Sequence, residues 1–342
     1  MVARRDPIVV VNCFPLTDER KARLAAISDR LEIRHHDTGH ADDWAIEGLA
    51  DPDAEGLLGF HPPSDLARTP RLRWFQAGSS GVDFLEPAPL LAAGVTVTNG
   101  SGVHAVPMGE YALGALLHIA KDVDARQESQ RRRAWPDDQP TLAGRLLRGR
   151  TLLIVGYGSI GRETARLASA FGMRIIAVKA DPTRRADDGW VHPGTGDPDG
   201  RLPERWVGID GLVDAVRDAD YVVAALPGTA ASRGTISAAV IDAMPPRAWI
   251  VNVGRGSAID TDALIGAVRE GRIGGSFLDV FEPEPLPPDS PLWDLPTSII
   301  TPHVSGGPAE LGGLLVELLA EQLRRFAAEE PLLNVVDLAR GY

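Results

Sequence analysis

Short apolar, β-branched runs alternate along this chain with segments whose apolar positions recur three and four residues apart. That is the pattern of strands and helices in an α/β fold. In the first hundred residues, runs at 8–14, 31–36, 55–60, 72–76 and 95–98 read as strands. Segments at 17–28 and 83–93 read as helices between them, which implies a small parallel sheet. A single long helix is expected from Gly102 to about Arg133, with Pro107 in its first turn, where a missing N–H costs little. A second strand–helix series opens at Thr151, with later strands at 221–225, 249–253, 275–278 and 298–300. The stretch from Asp181 to Trp206, rich in Pro, Gly, Asp and Arg, reads as a long surface loop. A last helix at about 309–328 carries leucines on one face and is expected to return to the first domain.

The segment from Thr151 to Lys179 is the most specific local signal: strand, glycine turn, helix, strand, with Gly156, Gly158 and Gly161 in G-x-G-x-x-G spacing. A glycine pattern alone is weak, but this one follows a buried-type strand and opens an amphipathic helix, which points to a dinucleotide. Gly156 permits the tight turn, Gly158 the close approach of a pyrophosphate, and Gly161 the contact of helix with strand. The helix N-terminus offers N–H groups and a positive dipole end to the phosphates. At the end of the second strand an acid would accept the ribose hydroxyls of NAD. Lys179 stands there instead, followed by Arg184 and Arg185, a cationic group suited to the 2′-phosphate of NADP. NADP is therefore favoured over NAD. The alternative is a solvated lysine, with Asp181 taking the role of the acid two residues late.

The 342 residues suffice for two domains, and the 44% hydrophobic and 24% charged content is that of an ordinary globular protein. A net charge of −12 disfavours nucleic acid and anionic membranes as partners. The cluster Arg131-Arg132-Arg133 reads better as a solvated helix end. No apolar run is long enough to span a bilayer, and Arg4-Arg5 before the first strand lacks the rest of a signal peptide. Cys13 is the single cysteine, so no internal disulfide forms and a reducing cytoplasm is the expected compartment; within its strand it reads as a packing residue. His35, His36 and His40 lack companions at zinc spacing, and no metal is expected. His61, after a strand end, is a weak candidate for the substrate side.

Three late segments carry the chemistry: NVGRGSAID at 252–260, LDVFEPEPLP at 278–287 and TPHVSG at 301–306. Each follows a predicted strand, so each lies at the carboxyl edge, where open α/β sheets bind ligands. Arg255 can grip a carboxylate bidentately and polarise the adjacent carbonyl. His303 can protonate a carbonyl oxygen as hydride arrives, and Glu284 can hold the imidazole and favour its charged form. Each residue alone has a plainer reading. An Arg after a strand is often solvated, acids such as Glu282 and Glu284 in Pro-rich loops are usually surface charges, and a lone His in a turn is usually structural. The set of three, following a nucleotide fingerprint, suits reduction of a 2-oxo acid.

These segments resemble the D-isomer-specific 2-hydroxyacid dehydrogenase family, on the glyoxylate/hydroxypyruvate reductase side. The likeness covers nearly the whole chain and is densest from Leu147 to Gly306, including LPGT at 226–229, SPLW at 290–293 and the three segments above. It continues to the terminal EPLLNVVDLARGY. The resemblance implies two Rossmann-like domains with parallel sheets, and substrate and cofactor in their cleft. A flavodoxin-like substrate domain is expected over 1–101 and 307–342, and a dinucleotide-binding domain over 102–306. It also implies a homodimer. Carried over, it makes Arg255, Glu284 and His303 the catalytic set. Ser159 and Ile160 become pyrophosphate contacts, and Pro227 a further cofactor contact. Asp279 becomes a contact to the nicotinamide carboxamide. In AGSSGVD at 77–83, Ser80, Gly81 and Val82 would offer backbone N–H groups to the substrate carboxylate, a role that a glycine-containing turn suits.

The chain departs from the family pattern at several places. Lys179 replaces the usual acid, Tyr111 stands where relatives often have a histidine after Glu110, and Gly228 fills a position commonly larger. The 181–206 loop is long for the family and is a candidate cover for the adenosine end. Trp135 reads as an interface anchor. Glu284 argues against the formate dehydrogenase branch, and a sequence closing at Tyr342 without a regulatory domain argues against a phosphoglycerate dehydrogenase. The expected activity is reversible NAD(P)H-dependent reduction of a small 2-oxo acid to the D-2-hydroxy acid. The competing readings are a dinucleotide-sensing, corepressor-like scaffold on the same fold, and a dehydrogenase of another small oxyanion such as phosphite.

Overall fold

The computed structural model describes residues 7–36, 51–63, 65–135, 143–307 and 310–340. His40, the Arg4-Arg5 pair, residue 309 and the terminal Tyr342 lie outside the described residues. The chain divides into two compact units, the first from Met1–His104, Asp188–His192 and Ala309–Tyr342, the second from Ala105–Asp187 and Pro193–Pro308.

In the first unit, β1 (Ile8–Asn12), β2 (Leu31–His35), β3 (Ala54–Gly59), β4 (Trp74–Ala77) and β5 (Thr96–Thr98) form one parallel sheet in the order β2-β1-β3-β4-β5. This is the flavodoxin-like order, with its switch point between β1 and β3. Alternate residues of β1 feed two cores. Val10 packs with Leu24 of α1 (Asp18–Ala25) and with Leu319 and Leu323 of α9 (Leu311–Ala328), and Val11 packs with Leu90 of α2 (Pro87–Ala92). A buried polar chain crosses the first core. Trp74 Nε1 donates to Thr98 Oγ1 (2.8 Å), Thr98 donates to Gln76 Oε1 (2.7 Å), and Gln322 Nε2 of α9 donates to the same oxygen (3.1 Å).

The second unit is a seven-stranded parallel sheet in the order β12-β11-β10-β9-β6-β7-β8. Its strands are β6 (Thr151–Val155), β7 (Arg174–Val178), β8 (Arg205–Val207), β9 (Tyr221–Ala224), β10 (Trp249–Asn252), β11 (Gly275–Leu278) and β12 (Ser298–Ile300). The order reverses between β6 and β9, where doubly wound sheets bind ligands. α3 (Ala105–Ala120) and α5 (Ser159–Ala170) cover one face; α6 (Leu212–Ala215), α7 (Ala238–Ala243) and α8 (Thr261–Arg269) cover the other. Small residues let α3 close on α5: a Cβ on Gly109 would stand 2.7 Å from Glu163 Cγ.

The structure corrects two expectations about the elements. The long helix expected from Gly102 to Arg133 is broken into α3 and α4 (Val123–Arg131), with Asp122 in the left-handed region (φ 48°). The cause is tertiary. The Ala120 carbonyl, which a continuous helix would give to Asp124, accepts from Arg145 N at 2.6 Å. The 181–206 stretch is not a surface loop throughout. Trp190, Asp197, Gly200 and Pro203 are buried, and β8 begins at Arg205. Trp190 enters the core of the first unit, its N–H donating to Asn334 Oδ1 at 2.8 Å. Trp135 is 85% exposed among the described residues. Among the described residues no helix is long and apolar enough to cross a membrane.

Candidate active site

The loops after β6, β9 and β10 pack edge to edge. Gly156 takes φ 98°, which side chains disfavour, and a Cβ there would meet the Ala225 carbonyl. Gly161 lies against the Gly156 carbonyl and Ile154, which sets α5 close on its strand. A Cβ on Gly158 would meet nothing within 4 Å, so this face of the turn is open. Gly158 is also the N-cap of α5, followed directly by Ser159 and Ile160. Open space over a helix N-terminus at the switch point fits a pyrophosphate. Pro227, at the mouth of the neighbouring loop, is held by Ser232, whose hydroxyl donates to its carbonyl at 2.5 Å.

Lys179 follows β7, and its Nζ donates to the Arg184 carbonyl at 2.9 Å, drawing the two cationic residues into one turn. Asp181, the alternative ribose acceptor, is engaged elsewhere. Its Oδ1 takes the Thr183 N–H (2.9 Å) and hydroxyl (2.6 Å), bonds that hold its carboxyl below the usual range. Beneath this turn two buried α5 side chains clamp the 185–202 segment. Arg162, 2% exposed, donates to the carbonyls of Asp197 (2.5 Å) and Arg185 (2.7 Å). Its Nε lies 3.2 Å from the Asp187 carboxylate, within ion-pair range but off a hydrogen-bond direction. Glu163 accepts from Gly196 N at 2.6 Å, and Tyr157 donates to Asp197 Oδ2 at 2.8 Å. Sequence reasoning missed this clamp; the signal was a charged pair, Arg162-Glu163, near the start of the helix that the glycine turn opens.

Arg255, Glu284 and His303 follow β10, β11 and β12, adjacent parallel strands, so all three sit at one carboxyl edge. Arg255 is extended (φ −140°) at the N-cap of a short 3-10 turn, with one Nη bonded to the Gly254 carbonyl at 3.1 Å. Of the two acids in the Pro-rich loop, Glu282 forms a double ion pair with Arg233 (2.7 and 2.8 Å), which holds its carboxyl low. Glu284 turns the other way: Oε1 accepts the Phe281 N–H (2.7 Å) and Oε2 lies 2.8 Å from His303 Nδ1. A proton on Nδ1 directed at the carboxylate leaves Nε2 to exchange a proton with a ligand.

His303 occupies the left-handed region at φ 53°, a conformation that costs a side-chain residue about 1 kcal/mol. Its turn is pinned to compensate. His303 N donates to the Asp279 carbonyl (2.9 Å), and the fully buried Asp279 carboxylate accepts from Thr301 Oγ1 (2.6 Å), Val304 N (3.0 Å) and Ser305 N (2.9 Å). The resemblance sets Asp279 beside the nicotinamide carboxamide. In the structure it is buried under the His303 turn, with both oxygens engaged.

In the first unit, Ser80, Gly81 and Val82 follow β4. Ser80 is fixed by Asn99 Nδ2, which donates to its carbonyl (3.0 Å), and by its own hydroxyl on the Gly100 carbonyl (3.1 Å). Among the described residues their three consecutive amides donate to no protein acceptor, which suits an anion. His104, which sequence reasoning passed over, stands 3.2 Å from the Ser80 hydroxyl through Nδ1, and burial pushes its pKa down. His61 lies against Phe84 with ring centroids 4.5 Å apart. His35 and His36 close the β2 edge, His35 Nδ1 lying 3.2 Å from Asn12 Nδ2.

A doubly wound sheet with a glycine turn at its switch point, and a histidine paired with a carboxylate on the same edge, fits a dinucleotide-dependent oxidoreductase. Residues 113–305 match the family model described as D-isomer specific 2-hydroxyacid dehydrogenase, NAD binding domain. A glyoxylate reductase from Korarchaeum cryptofilum is 32% identical over 270 residues, covering 78% of this chain and 77% of that protein. A D-3-phosphoglycerate dehydrogenase from Mycobacterium bovis is 29% identical over 334 residues; the match covers 93% of this chain but 57% of that protein's length. A crystal structure of a D-isomer specific 2-hydroxyacid dehydrogenase from Xanthobacter autotrophicus Py2, in complex with NADPH and MES, is 27% identical with a TM-score of 0.76, covering 99% of this chain and 100% of that one. The chain belongs to the D-isomer specific 2-hydroxyacid dehydrogenase family and is an NAD(P)-dependent enzyme of that class.

Proposed function

We propose that this enzyme reduces a small 2-oxo acid to the D-2-hydroxy acid, with NADPH preferred and His303 as general acid. The observation that carries the reading is the 2.8 Å contact between His303 Nδ1 and Glu284 Oε2, on the carboxyl edge of a sheet that has a nucleotide turn. When bound, the nicotinamide supplies the hydride. His303 Nε2 gives its proton to the substrate carbonyl oxygen and recovers it in the reverse direction. Glu284 fixes the tautomer and balances the charge on the imidazole. Arg255 binds the substrate carboxylate and draws electron density from the neighbouring carbonyl. Ser80, Gly81 and Val82 are the backbone contacts we assign to that carboxylate in the first unit.

Gly156, Gly158, Ser159, Ile160, Gly161 and Pro227 are the cofactor contacts we assign, with Lys179 and Arg184 on the 2′-phosphate. Support for NADP comes from the cation at 179, from Asp181 being engaged by Thr183, and from the NADPH held by the Xanthobacter relative. We further assign the enzyme to the cytoplasm as a homodimer, with light scattering as the check on assembly. The deciding experiment follows NADPH and NADH consumption in parallel over 2-oxo acids from glyoxylate to phenylpyruvate. Turnover faster with NADPH supports the reading. Cofactor binding without turnover of any 2-oxo acid overturns it.

A further inference from the structure

Tyr111 carries a hydrogen-bonded hydroxyl that the reaction, as described, does not use. It sits on α3, and its ring meets the edge of Phe277 on β11 with centroids 5.9 Å apart. Its hydroxyl donates to Thr301 Oγ1 at 2.6 Å, and Thr301 Oγ1 donates to Asp279 Oδ1 at 2.6 Å. The same Asp279 oxygen accepts Val304 N, and its partner accepts Ser305 N, the two amides that follow His303. Four groups are thus joined from a helix surface to the strained turn that carries the imidazole, the two hydroxyls donating toward the Asp279 carboxylate and the two amides donating to it from the turn. The Thr301 hydroxyl, by accepting a hydrogen bond from Tyr111, becomes a better donor to Asp279, so the chain is stiffer than its separate bonds.

We propose that Tyr111 is a positioning residue for His303, acting through Thr301 and Asp279 to hold the 301–305 turn in its left-handed conformation. The inference rests on the proposed role of His303 as general acid. The titratable groups bordering the turn and relay, among the described residues, are Glu284 on the imidazole, Asp279 beneath it, and Tyr111. His118, paired with Asp124 at 3.1 Å, stands against the same Phe277 ring.

The test is Tyr111→Phe, which keeps the ring on Phe277 and removes only the hydroxyl. With the substrate found active in the panel, kcat is expected to fall about threefold to tenfold, the factor one modest hydrogen bond carries. KM and the dissociation constant for NADPH should stay within twofold. Thr301→Val should lower kcat at least as far, Thr301→Ser should restore it, and Tyr111→Phe added to Thr301→Val should cost nothing more. Hydrogen exchange supplies a readout that needs no turnover: the amides of residues 304 and 305 should exchange faster in Tyr111→Phe, and those of α5 unchanged. Wild-type kcat together with unchanged exchange at 304 and 305 would overturn the relay. If the wild-type enzyme turns over no 2-oxo acid, the proposed function fails, and the exchange measurement still decides whether Tyr111 holds the turn.

Discussion

His303 Nδ1 and Glu284 Oε2 stand 2.8 Å apart although nineteen residues separate them in sequence, and the second oxygen of Glu284 is fixed by the Phe281 amide. A carboxylate held at both oxygens orients the ring as well as pairing with it. Replacing His303 with Ala is expected to lower kcat by about 10²–10⁴ if the imidazole is the general acid. Glu284→Gln keeps the shape and loses the charge, and should lower kcat by roughly tenfold to a hundredfold with little change in KM. Steady-state kinetics checks both, and near-normal turnover in His303→Ala would remove the imidazole from the mechanism.

We assign Lys179 to the reading of the cofactor's 2′-phosphate. Its ammonium is tied to the Arg184 carbonyl at 2.9 Å, so one cation position brings a second into the same turn. Lys179→Asp should move the NADPH/NADH ratio of kcat/KM toward NADH by about tenfold or more, equal to ~1.4 kcal/mol of discrimination. An unchanged ratio would assign the 2′-phosphate to other residues.

The stability of the first unit is expected to depend on pH through His104. Burial lowers its pKa from the ordinary 6.5, so the folded chain resists a proton that the unfolded chain accepts. Below pH 6.5 the unfolded state therefore holds more protons, and stability falls as the pH falls, until the folded imidazole also titrates. His35 and His61, lowered by the same cause, act in the same direction. The drop in melting temperature between pH 7 and pH 5.5 should be smaller in His104→Gln than in the parent. An equal drop would mean that His104 is not the group responsible.

Much of this was legible in the sequence because the signals were local. The strands carry apolar β-branched runs, and the glycine turn between β6 and α5 has one purpose at each glycine. The pairing of Glu284 with His303 was also foreseeable, since both follow neighbouring strands. What escaped was tertiary. The break at Asp122 depends on Arg145 taking the Ala120 carbonyl, a contact 25 residues away with no local mark. Trp190 lies in a stretch of Pro, Gly and Asp that reads as loop, yet a single aromatic fills a core gap. Gln76 and Gln322 look like surface residues until Thr98 and Trp74 complete their hydrogen bonds. Asp279 sits in a family motif, but only the geometry shows that its oxygens serve the amides after His303.

Arg162 offers the sharpest test of the clamp beneath the Lys179–Arg184 turn. Its guanidinium is 2% exposed, and it meets the carbonyls of Asp197 and Arg185 and the carboxylate of Asp187 together. Arg162→Leu leaves two carbonyls and one carboxylate without their cation. The expected loss is about 3 kcal/mol, which in a unit of this size lowers the melting temperature by roughly 6–12 °C. Arg162→Lys should recover little, because an ammonium cannot reach three acceptors that a planar fork serves at once. Tyr157→Phe should cost less, about 1 kcal/mol, since Asp197 keeps the amides of Arg201 and Leu202 at 2.9 and 3.1 Å. The clamp also sets where the 184–185 backbone lies, so in Arg162→Leu the affinity for NADPH should fall more than that for NADH. Equal loss for the two cofactors would show that the clamp serves stability alone.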